Sequence, residues 1–184
     1  MATQVLFIQG GSEGAYEADR LLADSLQKAL GQGYRVRYPR LPNEDDPQYD
    51  AWKTVIEASL AETVGEIALV GHSLGAFMLL RSLAETKPPA DLVGLFLIAT
   101  PFVSETEGWR FPDMAPPKSF AEKLAAVPVF LYHSRDDEVV PFEHLALYRA
   151  KLPRATTRVF EGRGHQFRND LGEVADDIRR RGAK

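Results

Sequence analysis

The pentapeptide GHSLG at residues 71–75 constrains the fold more than any other segment of this chain. An apolar run typical of a buried strand, residues 66–70, precedes it, and residues 76–85 have helical character. A strand that turns sharply into a helix holds its serine in a strained backbone conformation and exposes the hydroxyl above the sheet. Glycines flank such a turn because a Cβ would clash where backbone segments approach closely. We therefore expect a strand–turn–helix unit with Ser73 at its apex.

Strand and helix patterns alternate along the whole sequence. Strand patterns cover residues 5–9, 34–38, 66–70, 92–99, 127–133 and 156–160, and helix patterns cover 15–30, a segment around Trp52, 76–85, 142–151 and 167–180. This alternation predicts a minimal α/β fold with a sheet of about six mostly parallel strands, helices on both faces and no large cap domain. A chain of 184 residues fits a single domain, 1–184.

An acid and a histidine each follow a predicted strand in the second half of the chain. Asp137 lies in the loop after the strand at 127–133, and His165 lies in a glycine-containing loop after the strand at 156–160. Reactive groups gather at the carboxyl ends of parallel strands, so we expect Ser73, Asp137 and His165 to come together there. Their order along the chain is that of a nucleophile, a group that orients a base, and the base itself.

Three motifs resemble those of the α/β-hydrolase superfamily. GHSLG matches its nucleophile pentapeptide, DEVVP at 137–141 matches its D-x-x-V-P acid loop, and GHQF at 164–167 matches its histidine loop. The short length, the early first strand and the helix with Trp52 are similar to those of small serine hydrolases of the YdeN and retinoblastoma-binding-protein-nine type. The resemblance implies an enzyme that cleaves small carboxylic esters: Ser73 attacks the carbonyl, His165 moves the proton, Asp137 orients the imidazole, and water clears the acyl-enzyme.

The resemblance also implies an oxyanion hole made of two backbone N–H groups. Leu74, the residue after the nucleophile, supplies one of them. The loop after the first strand supplies the other, and alignment with the family assigns it to Gly11. Gln9 stands where the family often has histidine, which leaves the hydrogen bonding within this loop open. Alternatively, Gly10 and Gly11 form only a strand-to-helix turn.

Other acidic and histidine side chains compete with these assignments. Asp136 adjoins Asp137, but the D-x-x-V-P spacing favours Asp137 and leaves Asp136 as a loop or capping carboxylate. We expect His72 to pack beneath the turn, His133 to be a core or supporting group at the end of a strand, and His144 to lie at the surface of a helix. The sequence contains no H-x-x-x-H or H-E-x-x-H spacing for a metal, and nothing in it suggests a cofactor.

The segment 100–118 is a candidate substrate-binding loop. Its prolines exclude regular helix or strand over most of its length, and it follows the strand at 92–99, where members of the superfamily insert caps. Long loops in compact domains are often functional. This one carries apolar side chains that solubility does not require: Phe102, Trp109, Phe111 and Met114. They form either a short lid over an apolar acyl or alcohol pocket, or anchors that pin the loop onto the domain.

Composition and charge limit the possible partners and locations. The net charge of −4 gives no electrostatic footprint for nucleic acid, and the longest apolar stretch, 92–99, is too short to cross a bilayer. The chain has no cysteine and no basic leader, which is consistent with a reducing cytoplasm. We expect a cytoplasmic enzyme for a small-molecule ester, with no nucleic-acid or membrane partner; its oligomeric state stays open. A thioesterase or amidase would use the same groups, and a non-catalytic binding protein on this scaffold is the alternative class.

Overall fold

The computed structural model describes residues 2–110 and 112–182. In chain order, its strands and α-helices are β1 (Thr3–Ile8), α1 (Ala15–Leu30), β2 (Tyr34–Arg37), α2 (Tyr49–Ala61), β3 (Ile67–His72), α3 (Ser73–Glu85), β4 (Leu92–Ile98), β5 (Val103–Ser104), β6 (Trp109–Arg110), α4 (Phe120–Lys123), β7 (Val129–Ser134), α5 (Glu143–Lys151), β8 (Thr156–Phe160) and α6 (Gly172–Gly182). Short 3₁₀ helices lie at Pro112–Met114 and Phe167–Asn169. Within the described ranges, no helix combines the length and the apolarity that a membrane crossing requires.

The main sheet has the strand order β2-β1-β3-β4-β7-β8, and all neighbouring strands in it are parallel. The chain passes from β1 outward to β2 and then returns to place β3 on the other side of β1. This reversal makes the carboxyl ends of β1 and β3 the topological switch point, where ligands bind in open α/β sheets. The predicted α/β fold is confirmed, and the described part of the chain holds no large cap domain.

The sheet is buried on both faces by helices. On one face, α1 and α6 contribute fully buried side chains such as Leu26 and Ile178. On the other face, α2 and α3 contribute Trp52 and Phe77, which are also fully buried. The strands supply both layers because successive residues point to opposite faces. This packing holds the carboxyl ends of the central strands rigidly beneath the loops that follow them.

The structure differs from the sequence prediction in the last helix. Residues 167–180 were expected to form one helix, but Phe167, Arg168 and Asn169 have positive φ values of 49°, 49° and 55°. An α-helix of L-residues does not continue through such a left-handed stretch. The N–H of Leu171 then donates to Ser25 Oγ at 3.1 Å, and α6 begins one residue later. The left-handed turn separates the His165 loop from α6.

Candidate active site

Ser73 lies at the junction of β3 and α3 with a backbone φ of 51°. This left-handed conformation is strained for a residue with a side chain. A Cβ on Gly71 would lie 2.5 Å from Ala76 Cα, and a Cβ on Gly75 would lie 1.9 Å from the carbonyl oxygen of Gln9. Only glycine fits these positions because the neighbouring atoms belong to backbone. The structure thus has the strand–turn–helix unit that the pentapeptide predicts.

Ser73 and His165 line one small cavity at the carboxyl ends of β1 and β3. Its volume is about 120 Å³, and residues 10–15, which connect β1 to α1, form much of the remaining wall. Among the described residues, no hydrogen bond joins the Ser73 hydroxyl to the imidazole of His165. Such contacts often tighten only when substrate binds. Neither here nor elsewhere in the described ranges do His, Asp and Glu side chains cluster in a way that could hold a metal ion.

Asp137 holds the imidazole of His165. The Nδ1–H of His165 donates to both carboxylate oxygens of Asp137, at 2.9 Å and 3.0 Å. The backbone N–H of His165 donates to Glu138 Oε2 at 3.1 Å. The Asp137 side chain is fully buried, whereas 12% of the His165 side chain is exposed. Because Nδ1 is engaged with the carboxylate, Nε2 is the ring nitrogen that can accept a proton.

The carboxylate of Asp137 is stabilised in its ionised form. The N–H groups of Val139 and Val140 donate to its Oδ1 at 2.9 Å and 2.8 Å, and Nε2 of His133 lies 3.3 Å from its Oδ2. Burial raises the pKa of Asp137, but the hydrogen bonds from His133, His165 and Val140 outweigh burial and hold it well below its usual range. Asp137 is therefore an anion that can stabilise a protonated His165.

The adjacent carboxylate, Asp136, has different contacts. It accepts hydrogen bonds from the Ser134 hydroxyl and from the N–H of Gly164, which lies 3.3 Å away. The Ser134 hydrogen bond is the main cause of the lowered pKa of Asp136. The structure therefore places Asp137, and not Asp136, against His165, and the loop-carboxylate interpretation agrees with the contacts of Asp136.

Gly11 and Leu74, the two predicted oxyanion donors, belong to segments that pack against each other. A Cβ on Gly11 would lie 2.6 Å from Cδ2 of Leu74 and 2.9 Å from Cγ of Pro47, so the loop after β1 packs directly on the start of α3. Leu74 is the second residue of α3, where backbone N–H groups have no partner within the helix. The N–H of Gly10 is already engaged, since it donates to Asp19 Oδ2 at 2.6 Å.

Gln9, which replaces the histidine common in the family, ties the loop after β1 to residues 39–48. Its Nε2 donates to Glu44 Oε2 at 2.8 Å, and its Oε1 accepts from the N–H of Leu41 at 3.3 Å. The same oxygen of Glu44 accepts from the N–H of Tyr16 at 2.7 Å. The sequence left the hydrogen bonding of this loop open. In the structure, the Gln9 side chain bonds the start of the loop to Leu41 and Glu44.

A buried pair, Asp19 and His72, lies behind the cavity wall. Nδ1 of His72 is 2.9 Å from Asp19 Oδ2, and Nε2 of His72 is 3.0 Å from the carbonyl oxygen of His165. Nε2 of Gln166 donates to Asp19 Oδ1 at 2.8 Å. The position of His72 beneath the turn agrees with the sequence prediction, but Asp19 was not predicted. Its location on the inward face of α1, among the apolar positions, is the sequence pattern that could have revealed it.

The surface position expected for His144 is wrong. This side chain is buried, and its Nδ1 accepts a hydrogen bond from the N–H of Phe102 at 2.8 Å. Burial lowers the pKa of His144, which agrees with an unprotonated Nδ1 that acts as acceptor. The reason is tertiary: the loop after β4 folds over α5, where Phe102 also packs edge-on against Tyr148 at a centroid distance of 5.0 Å. The helical pattern of residues 142–151 cannot show that a loop from elsewhere in the chain buries His144.

The structure does not bring the described members of the predicted substrate-binding set to the Ser73–His165 cavity. Phe102 is buried and lines a different cavity of about 480 Å³, between residues 102–107 and 115–121. Trp109 and Met114 are partly buried against the core on the α3 side of the sheet. Phe111 lies outside the described residues. The packing of Phe102 supports the loop-anchor interpretation, and a substrate role for Trp109 and Met114 stays a prediction.

The fold and the site together define the class of this protein as an α/β hydrolase. The strained serine follows the central strand, and the acid and histidine loops follow β7 and β8. A family model described as serine hydrolase matches residues 22–170. The chain belongs to the serine hydrolase family.

Solved structures with the same fold include the ydeN gene product from B. subtilis, with a TM-score of 0.76, 22% identity and full coverage of both chains. Est1E from Butyrivibrio proteoclasticus, solved with ferulic acid bound, has a TM-score of 0.73 and 16% identity over 100% of this chain and 90% of its own. The thioesterase domain from the curacin biosynthetic pathway has a TM-score of 0.69 and 16% identity over 96% and 90%. A search among curated proteins finds no match.

Proposed function

We propose that this protein is a carboxylesterase-like enzyme that cleaves small esters through Ser73, His165 and Asp137. The Ser73 hydroxyl attacks the ester carbonyl while Nε2 of His165 takes its proton. The N–H groups of Gly11 and Leu74 receive the negative charge of the tetrahedral intermediate. The alcohol leaves with the proton from His165, and the acyl group stays on Ser73. Water, deprotonated by His165, then releases the carboxylic acid and restores the serine.

The observation that carries this proposal is the contact between Asp137 and His165 beside the strained Ser73. A serine hydroxyl is a weak nucleophile until a base takes its proton, and that base must be held in the correct tautomer. The 2.9 Å hydrogen bond to buried Asp137 keeps the proton of His165 on Nδ1 and leaves Nε2 for the serine. Membership in the serine hydrolase family supports the same chemistry.

The substrate class is proposed on chemical grounds. The cavity is small, and residues 10–15, with three glycines, form much of its wall. Its small volume favours a small acyl group. Est1E, which shares the fold, has been solved with ferulic acid, a carboxylic acid, bound. A small-molecule ester, encountered in the cytoplasm, is the proposed substrate.

The first experiment is intact-mass spectrometry after exposure to a fluorophosphonate. Such a reagent phosphonylates a serine that is activated by a base and an oxyanion hole. We expect one adduct on the wild type and none on Ser73→Ala. Hydrolysis of p-nitrophenyl acetate should be lost in the same variant. A folded wild type that takes no adduct would contradict the proposal and would favour the non-catalytic binding protein.

A thioesterase is the second candidate, because the curacin thioesterase domain shares the fold. Thioesters and amides pass through the same tetrahedral intermediate, so Ser73, His165 and Asp137 would act on them in the same way. A panel of matched acetyl ester, thioester and amide substrates separates these activities. We expect the highest kcat/KM for the ester, and a higher value for the thioester would replace the proposed substrate class.

A further inference from the structure

Asp19 lies at a point where three segments of the active site meet. Its Oδ2 accepts the N–H of Gly10 at 2.6 Å and contacts Nδ1 of His72 at 2.9 Å. Its Oδ1 accepts Nε2 of Gln166 at 2.8 Å. Gly10 precedes the proposed donor Gly11, His72 precedes Ser73, and Gln166 follows His165. One buried carboxylate is thus bonded to residues adjacent in sequence to Gly11, Ser73 and His165.

His72 extends this connection to His165 itself. Its Nδ1 faces the carboxylate of Asp19, and its Nε2 faces the carbonyl oxygen of His165 at 3.0 Å. A carbonyl oxygen and an ionised carboxylate can only accept hydrogen bonds. Both ring nitrogens of His72 must therefore carry hydrogen, which makes the ring an imidazolium paired with an anion. A neutral ring could satisfy only one of the two acceptors.

The charges around His72 agree with this state. Burial lowers the pKa of His72, but the Asp19 carboxylate outweighs burial and raises it above its usual range. Burial raises the pKa of Asp19, but His72, Gln166 and the N–H of Gly10 outweigh burial and lower it. The other titratable groups that face His72 are His165, whose ring centroid is 4.7 Å away, and the Asp137 carboxylate.

We propose that Asp19 and His72 are positioning residues of the active site, and that they hold the oxyanion loop and the His165 loop in register only while His72 is doubly protonated. The inference rests on the proposed function of Ser73 and His165. The main chain of His165 is bonded at its N–H by Glu138 and at its carbonyl oxygen by His72, so loss of the second bond frees one end of the residue that carries the base.

The test uses Asp19→Asn, which keeps the shape of the side chain and removes its charge. Without the anion, His72 becomes neutral and loses one of its two hydrogen bonds. A displacement of the reacting groups by about 1 Å costs up to about 100-fold in rate, so we expect kcat on p-nitrophenyl acetate to fall about 10- to 100-fold with little change in KM. Asp24→Asn is the matched control, because Asp24 is an exposed residue of the same helix.

The protonation state of His72 is read by ¹⁵N NMR of the imidazole rings, with His72→Gln to assign the signals. In the wild type at pH 8, we expect both nitrogens of His72 to be protonated, although an ordinary histidine with a pKa of about 6.5 would be neutral. In Asp19→Asn, one nitrogen should lose its proton. In the wild type at higher pH, kcat should fall with the same midpoint as the deprotonation of His72, a readout that holds even if the variant does not fold.

Three results would overturn the proposal. A neutral His72 in the wild type at pH 8 rules out the ion pair. A folded Asp19→Asn with wild-type kcat rules out the positioning role, as does a kcat that stays constant through the titration of His72. These results differ from a failure of the proposed function, in which the wild type takes no fluorophosphonate adduct at Ser73 and the positioning role falls with it.

Discussion

Asp136 and Asp137 are adjacent in the sequence, but their side chains have different contacts in the structure. Asp137 is buried and receives the imidazole N–H of His165, whereas Asp136 bonds to a serine hydroxyl and a backbone N–H. The acid of a triad must hold the histidine in one tautomer and stabilise its positive charge. Only Asp137 is placed to do so.

We therefore expect Asp137→Asn to lower kcat by about 10⁴-fold, because an amide facing Nδ1 favours the wrong tautomer. Asp136→Asn is the matched control, an identical change one residue away, and should keep kcat within about 10-fold of the wild type. Steady-state kinetics on p-nitrophenyl acetate measures both. Equal losses in the two variants would show that the acid has been misassigned.

Other residues show what a sequence pattern can and cannot reveal at this scale. Ser73, Asp137 and His165 each follow a strand and sit in a recognisable local motif, so their positions could be predicted. The partners of Asp19 and the cover over His144 come from distant parts of the chain. Gln166, for example, is 147 residues from Asp19. Side-chain contacts of this kind depend on tertiary packing, which local periodicity does not encode.

At the scale of elements, the packing of α3 on β1 depends on a missing side chain. A Cβ on Gly75 would lie 1.9 Å from the carbonyl oxygen of Gln9 and 2.7 Å from that of Ile8. Both atoms belong to backbone just past or within β1, so they cannot rotate away. The helix can approach the strand only because residue 75 is glycine, and this approach brings Leu74 to the loop after β1.

Gly75→Ala should therefore lower the free energy of unfolding by at least about 3 kcal/mol, because the strand and helix must separate. Gly33→Ala is the control: it lies in an exposed turn, and a Cβ there would meet no atom within 4 Å. That variant should stay within about 0.5 kcal/mol of the wild type. Urea denaturation measures both, and a stable Gly75→Ala would contradict the close packing.

The loop after β4 gives a second prediction for an element. Trp109 is partly buried and lies edge-on to His144 at a centroid distance of 5.8 Å. If its other surface lines an acyl pocket, Trp109→Ala should lower kcat/KM for a butyrate ester about 4- to 15-fold more than for an acetate ester, since butyrate has two more methylenes and each one buried contributes about 0.8 kcal/mol. Asp113→Asn, an exposed change in the same loop but outside the cavity that Phe102 lines, is the control. If the ratio of kcat/KM for the butyrate and acetate esters does not change, Trp109 only anchors the loop onto the domain.

At the scale of the whole molecule, the sheet and its long helices could be predicted because buried parallel strands are short continuous apolar runs and helices such as α1 repeat apolar residues at helical spacing. Residues 15–30 were predicted as a helix and form α1 with those bounds, since Gly31 ends the apolar period. The start of α6 could not be predicted, because the left-handed turn at 167–169 has no glycine to mark it. The four-residue helix α4 is too short to show a period. Long elements were thus predicted better than the loops that join them.

The stability of the whole molecule at low pH depends on buried carboxylates, and Asp177 is one whose contribution can be measured. Asp177 on α6 is buried and accepts hydrogen bonds from Tyr132 on β7 and from Arg158 on β8. Burial raises the pKa of Asp177, but the hydrogen bonds from Arg158 and Tyr132 outweigh burial and lower it. Asp19 and Asp137 also have lowered pKa values. The last helix is thereby joined to the edge of the sheet by an ionised group.

A carboxyl group whose pKa is lower in the folded state binds fewer protons there than in the unfolded chain. Its contribution to stability is complete above the unfolded pKa of about 3.9 and is lost as the pH falls through the folded value. We therefore expect the wild-type free energy of unfolding, from urea denaturation, to fall steadily below pH 4.

Asp177→Asn should be less stable than the wild type by about 1–3 kcal/mol at pH 7, and its free energy of unfolding should fall less on acidification. Asp176→Asn, at a half-exposed site on α6, should change the value at pH 7 by less than about 0.5 kcal/mol. Equal acid dependence in the wild type and Asp177→Asn would mean that Asp177 does not contribute to acid unfolding.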